Sequence, residues 1–204
     1  RVGHLNLQDR DGDLGRFVDW ILDEQPDVFV VLEATRWSDD LYGDAVPGYT
    51  ITRVPDRSFS DVVVLTRLPA EVSAPEVPGL PRTSAVIRTR IGDQPVRLLA
   101  LHTVRPTSPR SYERRGLALE AAAEWVRDGT EPAIVFGDLN ATPWNAPFKT
   151  LIDDADLRDS LTGHGVQPTW PTSVPLAAIP IDHLLMTKEL TADRKSTRLN
   201  SSHT

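Results

Sequence analysis

Apolar positions recur with two different periods along the chain, and the switches between them lay out an interleaved order of strands and helices. Residues 2–6 are a short run ending in Asn6. After a polar loop over 9–13, with Asp13 placed to cap, Leu14, Phe17, Val18, Ile21 and Leu22 fall at helical spacing until Pro26 stops the pattern. The continuous run P-D-V-F-V-V-L-E-A reads as a strand buried on both faces and closing on Glu33. Residues 35–60 are polar and turn-rich, with an edge strand over 49–53, and D-V-V-V-L-T at 61–66 is another strand. Pro69, Pro75, Pro78 and Pro81 exclude a helix or central strand over 68–82 and predict an irregular connection within one domain. Residues 84–91 and 96–102 flank Gly92-Asp93, a hairpin signal with a longer turn implied by Gln94-Pro95, and the second strand exits at His102. Ser108-Pro109, a cap residue before a proline, starts a helix with Ala118, Ala121, Ala122 and Trp125 as its buried stripe and Gly129 at its end. Residues 134–145, I-V-F-G-D-L-N-A-T-P-W-N, form a buried strand closed by Gly137, Asp138 and Asn140. A short helix over 147–157, an extended piece at Thr169-Trp170-Pro171 and a final strand over 179–186 carrying Asp182 and His183 complete the chain.

Interleaved strands and helices with at least one hairpin predict an α/β (mixed α+β) fold in which two mixed sheets pack together with helices outside, a four-layer sandwich. A chain of 204 residues suits one such domain. No apolar run approaches the length that crosses a bilayer, and the first residues read as a strand and not as a signal peptide, so the domain looks cut from a longer protein. From Asp193 onward, D-R-K-S-T-R-L-N-S-S-H-T has no hydrophobic period and looks like a sequencing adapter translated in frame; the domain is therefore expected over 1–192, with both ends incomplete and 193–204 a disordered artefact.

Composition narrows the chemistry. The chain has no cysteine, which removes disulfides and thiolate metal sites and leaves only oxygen or imidazole ligands for any metal. A net charge of −7 disfavours a large nonspecific footprint on duplex DNA and is compatible with carboxylates gathered around a hard divalent cation. Asn6, Glu33, His102 and the Asp138/Asn140 pair each stand where an apolar strand ends, with Asp182/His183 on a fifth strand. Alternation puts Asp138 and Asn140 on one side if the extended conformation persists through Leu139, whereas D-x-N before Thr-Pro reads equally well, taken alone, as a turn.

L-N-L-Q, V-V-L-E-A, L-L-A-L-H-T, F-G-D-L-N-A-T-P and P-I-D-H-L-L together resemble the endonuclease/exonuclease/phosphatase superfamily, in its order from the first strand to Met186. The closest likeness is to a bacterial branch whose catalytic domain often follows membrane helices. The resemblance implies a deoxyribonuclease-like fold and a phosphoester hydrolase dependent on Mg²⁺ or Mn²⁺. It implies Glu33 as a metal ligand with Asn6 beside it, and Asp138 positioning or deprotonating the attacking water. Asn140 would donate to the scissile phosphate, and His102 would donate to another oxygen or act as an acid. Asp182 would orient a histidine from a later segment. Members close with Ser-Asp-His, and Ser201-Ser202-His203 in the adapter-like tail lacks the acid, so this chain is expected to be weak or inactive. A noncatalytic module retaining the fold and a glycosidase using Glu33 with Asp138 are the competing readings.

Arg105 and Arg110 are candidates to grip phosphate, while Arg114 and Arg115 read at least as well as solvated helix surface. His4 reads as a core or edge residue, His183 as packed against a neighbouring layer, and His164 has no partner in view. Trp144 and Trp170 would flank the mouth; Trp20, Trp37 and Trp125 read as packing. The expected substrate is a phosphoester (nucleic acid, phospholipid or small molecule), acted on by a monomer whose parent is membrane-linked or extracytoplasmic.

Overall fold

The computed structural model describes residues 1–7, 13–34, 46–54, 61–160 and 179–191. Trp37, His164, Thr169-Trp170-Pro171 and the tail with Ser201-Ser202-His203 lie outside the described residues.

β1 (Val2–Asn6) leads to α1 (Leu14–Glu24), whose first turn is capped by the Asp13 carboxylate accepting from the Arg16 N–H at 3.0 Å. β2 (Val28–Leu32), β3 (Thr50–Val54) and β4 (Val62–Thr66) complete a sheet of order β1-β2-β4-β3, in which only β1 and β2 run parallel. The second sheet, of order β5-β6-β7-β8-β10-β9, is built from β5 (Glu71–Ser73), β6 (Ala85–Ile91), β7 (Gln94–Ala100), β8 (Ala133–Asp138), β9 (Arg158–Asp159) and β10 (Asp182–Met186). Its β7–β8 pair is parallel and the others antiparallel. α2 (Pro109–Arg127) makes that parallel crossover, and α3 (Ala146–Asp154) follows β8.

Alternation along each strand divides the apolar side chains among three cores. Val28, Val30 and Leu32 of β2 meet Ile87, Leu98, Ala100, Ile134 and Phe136 between the sheets. Phe29, Val31 and Leu65 face outward onto Phe17 and Ile21 of α1. Leu99, Val135 and Leu185 face outward on the other side onto Leu119, Ala122 and Trp125 of α2 and Phe148 and Leu151 of α3. The order helix, sheet, sheet, helices is the four-layer mixed α/β sandwich expected from the pattern.

Three local expectations are corrected. The 68–82 stretch is not wholly irregular, since β5 pairs there with β6 as an edge strand. The hairpin turn is not long: Ile91 pairs directly with Gln94, and Gly92 at φ +60° supplies the left-handed residue of a two-residue turn. The final strand begins at Asp182 and not at residue 179, so this acid opens β10; antiparallel pairing brings it to the sheet end where the other strands close, opposite Asp138.

Candidate active site

One end of the sandwich collects the polar strand termini. Asn6 shares its face of β1 with Val2, Asp138 its face of β8 with Ile134 and Phe136, and Asp182 its face of β10 with Leu184 and Met186. Those apolar partners belong to or pack against the core between the sheets, so all three polar side chains open from that core at its rim. His102, two residues beyond Ala100, continues the same alternation from β7.

The Asn6 amide nitrogen donates to Glu33 Oε1 at 3.1 Å and to Asp138 Oδ2 at 3.0 Å, holding a carboxylate from each sheet. His102 Nε2 lies 3.1 Å from the same Glu33 oxygen. Burial raises the Glu33 carboxyl, but hydrogen bonding and charge from His102, the Asn6 amide and nearby Arg105 outweigh it and leave the group below its ordinary range. Asp138, only 3 % exposed, goes the other way: burial and the Asp182 carboxylate push it up against His102, the Asn140 N–H and Asn6. Two neighbouring carboxyls are thus driven apart, one held ionised and one made more basic.

β8 ends at Asp138, so the alternation does not persist through Leu139, which is buried beneath α2 and α3. Asn140 takes φ +45° and Glu33 φ +53°, left-handed conformations uncommon for residues with a Cβ. The Asn140 N–H donates back to Asp138 Oδ1 at 3.0 Å, and its side-chain amide donates to the Thr103 carbonyl at 2.8 Å. The turn and the polar cluster are therefore one structure.

His4, two residues before Asn6 on the same face of β1, places Nε2 at 2.9 Å from Asp182 Oδ1. It is a site neighbour as well as an edge contact of Phe136. The signal for this was its parity with Asn6. His183 points to the opposite side of β10, buried against Phe148, with Nε2 at 2.8 Å from the Ala141 carbonyl. Arg105 is exposed beyond His102, and Arg110 is exposed in the first turn of α2. Arg114 is exposed, but Arg115 is buried, which corrects the reading of it as solvated surface. Its spacing from Ala118 and Ala122 puts it on the apolar stripe, a signal legible in the sequence. Trp144 is 61 % exposed on the loop after β8.

A sequence profile of the endonuclease/exonuclease/phosphatase family matches residues 2–203. The chain belongs to that family. Among curated protein sequences none matches significantly. Solved structures agree with the family assignment. A humanised D. rerio TDP2 superposes with TM-score 0.69 at 16 % identity, over 95 % of this chain and 84 % of that one. An AP endonuclease from Archaeoglobus fulgidus gives TM-score 0.69 at 14 % identity, over 93 % and 86 %. An endonuclease/exonuclease/phosphatase from Beutenbergia cavernae gives 0.62 at 19 % identity, over 92 % and 63 %. At these identities the likeness establishes the deoxyribonuclease-like fold. Among the described residues, this family member has no helix long and apolar enough to cross a membrane.

The donor set fits a hard divalent cation. Glu33 is a half-buried carboxylate kept ionised, and Asn6 adds an amide beside it. Among the described residues no group of three acidic, histidine or cysteine side chains forms a cage. A hard cation that keeps several waters in its shell can be held by few protein ligands.

Proposed function

We propose that the chain carries the site of a divalent-metal-dependent hydrolase of phosphoester bonds, in which water attacks phosphorus at the rim between the sheets and full turnover needs the Ser-Asp-His segment with which family members close. The observation that carries this reading is the Asn6 amide bridging two carboxyls of opposite tendency, Glu33 held ionised and Asp138 made more basic. Glu33 and Asn6 would hold Mg²⁺ or Mn²⁺, which when bound supplies Lewis-acid neutralisation of the phosphate and its leaving oxygen. Asp138 takes the proton of the attacking water; its raised affinity for protons suits a general base. The second amide hydrogen of Asn140 is a donor for the scissile phosphate. His102 donates to a further phosphate oxygen or to the leaving group. Asp182 orients an imidazole, and His4 at 2.9 Å is one that it holds. Arg105 and Arg110 supply positive charge at the approach.

Nucleic acid is the substrate class with the most support: the fold neighbours include AP endonucleases and a D. rerio TDP2 complexed with a single-strand DNA product. The net charge of −7 favours a short or single-stranded target over an extended duplex contact. The test is turnover of single-stranded and duplex oligonucleotides, a phospholipid, a small phosphodiester and a glycoside, each with Mg²⁺, Mn²⁺ and chelator, by the chain and by a version carrying a C-terminal Ser-Asp-His segment. Metal-dependent cleavage of oligonucleotides supports the reading. Cleavage of the glycoside unaffected by chelator would replace it with a paired-carboxylate glycosidase, and absence of any turnover in the version carrying Ser-Asp-His as well would leave a binding module.

A further inference from the structure

The turn after β8 is held from outside to an unusual degree. Three successive backbone carbonyls, those of Leu139, Asn140 and Ala141, each accept a hydrogen bond from a side chain on a different element. Thr103 Oγ1, at the exit of β7, donates to Leu139 O at 2.6 Å. The Arg115 guanidinium, from α2, donates to Asn140 O. His183 Nε2, from β10, lies 2.8 Å from Ala141 O. All three side chains are buried, with Thr103 and His183 each 1 % and Arg115 3 % exposed.

Arg115 is the most informative of the three. Its guanidinium stacks over the Tyr112 ring at 4.9 Å, its Nε is buried without a hydrogen-bond partner, and no carboxylate lies within ion-pair distance of it among the described residues. A buried cation is costly to desolvate and is retained where its partner matters. Here the guanidinium donates to a backbone carbonyl, that of a residue in the left-handed region, beside its contact with Tyr112. Asparagine tolerates the left-handed region better than other residues with a Cβ, and the hydrogen bonds from outside select that conformation here.

We propose that Thr103, Arg115 and His183 form a clamp that fixes the backbone of residues 139–141, with Arg115 its charged member, and so act as positioning residues for the site. None of the three touches substrate in this account. Thr103, on the carbonyl of the same peptide plane, sets the direction of the Asn140 N–H, which bonds Asp138 Oδ1 at 3.0 Å, while Arg115 and His183 fix the two peptides that follow, and together they orient the base. The clamp makes His183 more than a packed histidine. This inference rests on the hydrolase reading for its catalytic consequence, but its structural half stands alone.

The experiment is amide hydrogen exchange by NMR on the chain and on Arg115→Met, Arg115→Lys, Thr103→Val and His183→Phe, with oligonucleotide turnover measured in parallel. Arg115→Met should accelerate exchange of the Asn140 amide by roughly tenfold, the equivalent of one lost hydrogen bond, while β2 amides keep their protection. Turnover should fall in kcat by on the order of 10²-fold with KM little changed, because a misaimed base fails after binding. Added guanidinium should restore part of that loss, and Arg115→Lys should fall between the two. If Arg115→Met does not fold, Thr103→Val and His183→Phe decide by the same two readouts. Wild-type Asn140 exchange and wild-type kcat in the folded variants would overturn the clamp. Opening of 139–141 in a protein that turns over no phosphoester even with a C-terminal Ser-Asp-His segment would keep the clamp and sink the hydrolase reading, and the converse result would do the opposite.

Discussion

Asp138 and Glu33 sit within reach of one amide, yet their environments give them opposite links between pH and stability. The Asp138 carboxyl is pushed above its unfolded value, so the folded state binds its proton more readily than the unfolded chain does. Its cost is absent below the unfolded pKa, grows as pH rises through the raised folded value, and is fully present above it. Glu33 is lowered, so its stabilisation is present above the unfolded pKa and is lost as pH falls through the folded value. In metal-free buffer, the melting temperature of Asp138→Asn relative to wild type should therefore rise with pH from the carboxylate range upward, whereas that of Glu33→Gln should drop over the same range. Parallel curves for the two variants would contradict the assigned environments. At this scale Asn6, Glu33, His102 and Asp138 were legible because polar residues ending apolar strands stand out, Asn140 because it follows Asp138 in the G-D-x-N run, and Asp182 as an acid in an apolar strand. The hydrogen bond of His4 to Asp182 and the burial of Arg115 were carried by the same periodicities, but each looked ordinary until its partner in another element was known.

Gly137 shows how an element delivers its terminal acid. Its φ is +131°, and a Cβ there would stand 2.3 Å from the Leu101 carbonyl oxygen of the adjoining β7 segment. Gly137→Ala should therefore cost roughly 2–4 kcal/mol in urea unfolding, from backbone strain and overpacking together. Gly48, at φ +82° with nothing within 4 Å of the place a methyl would take, has only the backbone term, and Gly48→Ala should cost about 1 kcal/mol. Equal costs would mean that the approach of Leu101 is not limiting. The helix start at Ser108-Pro109 was readable because capping is local, and the structure shows Ser108 and Ser111 in a reciprocal capping box. β5 and β9 escaped notice because strands of three and two residues are too short to display a period, and their pairing is a property of β6 and β10.

At the level of the whole molecule, the site exists because two sheets meet. Asn6 and Glu33 come from one sheet and His102, Asp138 and Asp182 from the other, and the core between the sheets sets their spacing. The layers followed from the interleaved pattern; the strand order and the meeting of Asp182 with Asp138 depend on long-range pairing that no local window encodes. Phe136, fully buried in that core and two residues before Asp138, transmits the packing directly. Phe136→Ala should cost about 3–5 kcal/mol in urea unfolding, and a loss under about 1 kcal/mol would show that the sheets do not depend on it. The central claim, metal-dependent phosphoester hydrolysis at Glu33, is tested most directly in the version carrying a C-terminal Ser-Asp-His segment, by comparing it with its Glu33→Gln variant on one phosphodiester across a Mg²⁺ and Mn²⁺ titration. The account predicts turnover that rises with metal, vanishes with chelator and falls by on the order of 10²-fold or more in the variant. A Glu33→Gln protein that keeps the full metal-dependent rate would contradict it.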